Sequence, residues 1–162
     1  MAEQPKNAKN PADSAQLDDS DRADQLRYYA LGEAKQRLEQ NTDFEPFTAL
    51  LHGENIHVEN HPGADVLECL ESAVRAVTTL SHVAEAYAFA YSGYVNTNEG
   101  SRDALIVEHG LAGAGFARAY GLLYRVGEEG EGLVVEDRLY DLGQARSLFD
   151  PEALGVYQPT EI

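Results

Sequence analysis

Apolar residues recur at helical spacing in two stretches of the chain and alternate with polar or small ones in several others. Ala23, Leu26, Ala30, Ala34 and Leu38, with Leu31 beside them, follow one another at intervals of three and four. That spacing makes one apolar stripe on a helix of about 20 residues. "DDSD", Asp18 to Asp21, supplies N-cap candidates and negative charge at its start, and the stripe ends near "EQNTD". "HPGADV" opens a second helix, with Pro62 near its first turn. Val66, Leu70, Ala73, Val74 and Val77 form its stripe, while Glu68, Glu71 and Arg75 lie off it.

Strand patterns fill the rest. Residues 47–51 and 56–59 flank the turn signal "HGEN" and predict a hairpin, with Pro46 at its start, where a missing N–H is tolerated. Four further strands are expected over 84–95, 103–108, 116–125 and 132–140. The breaks "NTNEGS", "HGLAGAG" and "GEEGEG" carry glycine and are short enough for antiparallel hairpins. "DLGQARSLFDPEAL" is expected to give one or two helical turns. The order α-β-β-α-β-β-β-β has no running βαβ alternation. It predicts an α+β fold with two main helices and a largely antiparallel sheet of five to six strands. Residues 1–20 hold almost no large apolar side chain and read as a flexible polar tail, leaving 21–162 as a single domain.

Two strands share an unusual pattern. In "AYAFAYSGYV", Tyr87, Phe89 and Tyr91 fall on one face and Ala86, Ala88 and Ala90 on the other. In the strand over 116–125, Phe116, Tyr120 and Tyr124 share a face with Arg118 and Leu122, opposite Ala117, Ala119, Gly121 and Leu123. In compatible register the sheet would have one bulky side and one small side. Either the bulky side is the core beneath the helices, the commoner case for aromatic rows, or the helices cover the small side. The second arrangement leaves a surface suited to a partner or to self-association. Tyr87, Phe89, Tyr91, Arg118, Tyr120 and Tyr124 are then the candidate binding residues.

Charge narrows the classes of partner. The 162 residues carry a net charge of -16, so phosphate-rich partners are repelled; neither nucleic acid nor an anionic membrane is an expected partner. No apolar run approaches the roughly 18 residues of a membrane helix, and the first residues lack the apolar core of a secretion signal. Cys69 is the single cysteine, so no internal disulfide forms and a reducing, cytoplasmic setting is expected. Three lysines against nine arginines fit the coding bias of a GC-rich bacterium or a salt-adapted organism. The acidity serves solubility, or attracts a basic partner, as in an acidic inhibitor or immunity-type protein.

Candidate chemistry is sparse. "HGENIHVENH" places His52, His57, Glu59 and His61 within ten residues, a donor set suited to a transition metal or to hydrolytic chemistry. Against it, Pro62 follows at once and no second cluster has metal spacing. Gly110, Gly113 and Gly115 give G-x-x-G-x-G, not the G-x-G-x-x-G of a dinucleotide turn, so a hairpin loop is expected. Cys69 lies beside the second helix's stripe, as a small buried side chain would. Glu108 and His109 are adjacent on a strand and point to opposite faces, which rules out a simple dyad. No cofactor is expected.

The stretches "EPFTALLHGENIHVE" and "YAFAYSGYVNTNEGSRDALIVEHG" together resemble small, uncharacterised bacterial α+β proteins, over about residues 26–125. The resemblance implies the fold and no activity. The expectation is therefore a small binding or interaction module, partnered by another protein or by itself, rather than a catalyst.

Overall fold

A computed structural model describes residues 19–80 and 83–150. The tail expected over 1–20 lies almost wholly outside the described residues, and Asp19 and Ser20 already belong to the first helix. The elements are α1 (Asp19–Gln40), β1 (Phe47–His52), β2 (Asn55–Asn60), α2 (Val66–Thr79), β3 (Ala86–Thr97), β4 (Gly100–Leu111), β5 (Phe116–Val126) and β6 (Leu133–Arg146). This is the α+β fold that the patterning predicts. The strands form one six-stranded antiparallel sheet in the order β2-β1-β3-β4-β5-β6. β3 to β6 follow one another as a meander. β1 separates β2 from β3, so the chain passes through α2 to regain the sheet.

One helix packs on each side. The α1 stripe of Leu26, Ala30, Leu31, Ala34 and Leu38 is buried against Phe47, Ala49, Ala86, Ala88, Ala90, Leu105 and Val107. Small residues on β3 let the helix approach closely. On the opposite side, Ala73, Val74 and Val77 of α2 meet Leu50, Tyr87 and Phe89. The Asp65 side chain caps α2 by accepting from the Glu68 N–H at 2.9 Å, and Glu68 accepts from the Ala64 N–H at 3.3 Å. These reciprocal bonds satisfy donors that a helix start leaves orphaned. Arg22 fixes the start of α1 by donating to the Gly53 carbonyl at 3.0 Å and to Glu85 at 2.7 Å.

Two expectations need correction. Residues 141–146 are strand, not helix: β6 continues through "DLGQAR", pairing Ala117 with Ala145 and Phe116 with Arg146. A register shift accommodates the extension, and Gly143, at φ 95°, takes a conformation that side chains resist. The two aromatic rows do not share a side either. Tyr91 pairs with Ile106 and Ile106 with Gly121, whereas Ala90 pairs with Val107 and Val107 with Tyr120. The rings of β3 therefore stand beside the small residues of β5, on the α2 side, and Tyr120 and Tyr124 stand on the α1 side. Among the described residues no helix is long and apolar enough to cross a membrane.

Candidate functional site

The six candidate binding residues are divided by this register. On the α2 side, Tyr87 is 0 % exposed. Its hydroxyl accepts from the Leu148 N–H at 2.9 Å, and its ring stands edge-on to Phe149 at 5.3 Å. Gly110 opposite makes room: a Cβ there would lie 2.7 Å from the Tyr87 ring. Phe89 is buried as well and stacks at a tilt on half-buried Tyr91 at 5.1 Å. The Tyr91 hydroxyl donates to Glu108 at 2.7 Å. Burial lifts the Glu108 carboxyl above the usual carboxylate range, and the Tyr91 bond only partly opposes this.

On the α1 side, Tyr124 is buried and its hydroxyl shares a 2.6 Å hydrogen bond with Ser92. Tyr120 is half-buried beneath the Arg27 guanidinium, 4.3 Å from the ring centroid. Arg118 is exposed and donates to Asp141 at 2.6 Å. Three of the five rings thus belong to the core, and only Arg118 and Tyr120 share an open region.

The His52–His61 segment is divided too. His52, His57 and Glu59 are exposed, with His57 Nε2 3.6 Å from Glu59 Oε1. His61 is fully buried. Its Nε2 lies 2.8 Å from Thr48 Oγ1 and its Nδ1 2.9 Å from Ser72 Oγ, so both nitrogens are spent on hydroxyls. Burial holds its pKa below the usual histidine value, with Glu59 opposing. A neutral imidazole of this kind ties β1 to α2. Among the described residues, no three His, Cys, Asp or Glu side chains are gathered to hold a metal. Thr48 and Ser72 were not singled out by the sequence, since their link to His61 joins three separate segments. Cys69 is buried, and burial, with Asp65 and Glu68 adding, raises its thiol pKa, which suppresses the thiolate.

The two sheet edges differ. β6 is long, shifts register twice and carries Glu136, Asp137, Arg138 and Asp141. β2 pairs with β1 without interruption, and every residue but Val58 is exposed. The two-residue turn at Gly53 and Glu54 makes His52 and Asn55 the closing hydrogen-bonded pair. By alternation, Ile56, Val58 and Asn60 then direct their N–H and C=O groups away from β1. β2 contains no lysine, proline or bulge, the usual guards of an open edge.

Comparison with known proteins adds no relative: no family model matches the chain, and neither a curated protein nor a solved structure is similar enough to match.

Proposed function

We propose that the protein is a small binding module that joins a second copy of itself along β2. The contrast between the edges carries this reading: β6 is bulged and charged, whereas β2 is regular, exposed and unguarded. An antiparallel pairing centred on Val58 brings the outward N–H and C=O groups of Ile56, Val58 and Asn60 together in both copies. It also sets His57 of each copy opposite Glu59 of the other, so the edge is complementary to itself in charge. Self-association remains the expectation, but its seat moves from the aromatic rows to the edge.

Light scattering on the full chain tests this. The expected result is a dimer whose fraction rises with concentration. Val58→Pro removes an outward donor and should give a monomer with nearly unchanged melting. Glu59→Lys, which leaves the backbone alone, should weaken the dimer. A wild-type monomer at about 100 μM, well above a micromolar Kd, would overturn the reading.

A further inference from the structure

β2 carries two metal-ligating side chains that the fold itself does not use. His57 and Glu59 stand two residues apart on one face of the strand, and both are exposed. Nε2 of His57 lies 3.6 Å from Oε1 of Glu59. Ligand atoms about 2.1 Å from a tetrahedral zinc ion stand about 3.4 Å from one another. The pair therefore has the spacing of two corners of such a site. No other hydrogen bond or ion pair among the described residues holds either side chain. Buried His61 takes no part, since both of its nitrogens are spent on Thr48 and Ser72. On the α2 side, a groove of about 380 Å³ lined by Glu59, Ser72, Arg75 and Thr79 leaves the carboxylate open to solvent.

Two ligands make half a zinc site, and one copy gathers no third His, Cys, Asp or Glu beside them among its described residues. The other half comes from a second copy, so the inference rests on the self-pairing of β2. With Val58 at the centre, His57 of each copy faces Glu59 of the other. Ile56, Val58 and Asn60 carry the hydrogen bonds across the seam, so these facing pairs are the non-hydrogen-bonded ones, whose Cα atoms approach to about 4.5 Å. Along each strand the two residues are about 6.7 Å apart. The four β-carbons thus mark a rectangle of about 5 by 7 Å, on one face of the joined sheet and around its twofold axis. Four side chains rising from it can meet over one ion.

Charge favours the same arrangement. Each copy carries -16, so two copies repel one another, and a divalent cation on the seam offsets part of that repulsion. Two carboxylates balance the charge of the ion, and two imidazoles favour zinc over magnesium or calcium.

We propose that His57 and Glu59 of two copies together form a zinc site on the twofold axis of the β2 seam, through which zinc tightens self-association.

Light scattering of the full chain, purified without a polyhistidine tag, first in EDTA and then in zinc, tests this together with calorimetric zinc titration. The expected result is one zinc per two chains and a dimer Kd lowered about tenfold or more by the metal. His57→Gln should abolish the zinc response. His52→Gln removes an exposed imidazole of the same hairpin that lies outside the site, and should keep it. A dimer in EDTA that takes up no zinc, or whose Kd zinc leaves unchanged, would overturn the metal site and spare the pairing. One zinc per chain, a response kept in His57→Gln or a response lost in His52→Gln would also overturn the site. A monomer both with and without zinc would overturn the pairing and the site together.

Discussion

β3 and β5 carry nearly the same alternation of rings and small residues, yet they fill opposite sides of the sheet. On the α2 side Phe89 stands across β4 from Ala119, and Tyr87 shares a core cluster with Ala117; on the α1 side Tyr120 stands across β4 from Ala90, and Tyr124 reaches Ser92. Each side is thus a mixture of large and small rather than a wall of rings. The α2 side is closed by the helix, by Leu148 and by Phe149. The α1 side is closed over β1, β3 and β4, but Phe116 remains 62 % exposed and Arg118 stays open. One side is finished as core, and the other keeps its charged groups within reach of solvent. Identical strand patterns therefore do not imply identical roles.

That contrast can be broken at several points. The largest effect is expected from Tyr87→Ala, which removes a fully buried ring and its bond to the Leu148 N–H. A loss of about 3–5 kcal/mol is expected in urea unfolding, against little for Phe116→Ala; equal costs would erase the distinction between the sides. Ala88→Leu should come next. The added volume meets α1 directly, and a cost of about 1–3 kcal/mol would show that the small face of β3 is a seat for the helix. Glu108→Gln sharpens the comparison least, by about 4 °C or less in melting temperature. The folded pKa of Glu108 is raised, so its stabilising contribution is whole below the unfolded value and is lost as pH rises above it. The glutamine variant should therefore gain on the wild type as pH rises from about 4.5, in melts across a pH series; a constant gap would mean that Glu108 ionises freely.

The α1 stripe was legible because all of its members fall on one helical face and every one is buried. The hairpin of β1 and β2 and the meander of β3 to β6 were legible from glycine-bearing breaks. The side taken by each aromatic row was not. Alternation tells which residues of a strand travel together, but which side they take depends on the register with the neighbouring strand. The extension of β6 was hidden for a related reason, since "DLGQAR" gains its strand character from β5 and from the bulge at Gly143. Arg118 and Tyr120 were singled out from β5 alone, whereas Arg27 meets Tyr120 only when a helix is laid across the sheet. His61 looked like a metal ligand in the chain because nothing near it in sequence announces Thr48 and Ser72 as its partners.

The position of β1 between β2 and β3 has a kinetic consequence. The meander from β3 to β6 closes through short turns, each costing little chain entropy, whereas the pairing of β1 with β3 must wait until the whole of β2 and α2 has been looped out. Since α1 rests on β1, β3 and β4 together, its seat is complete only after that long closure. Folding is therefore expected to wait on the joining of β1 to β3, since pairings across long loops form more slowly than those across tight turns.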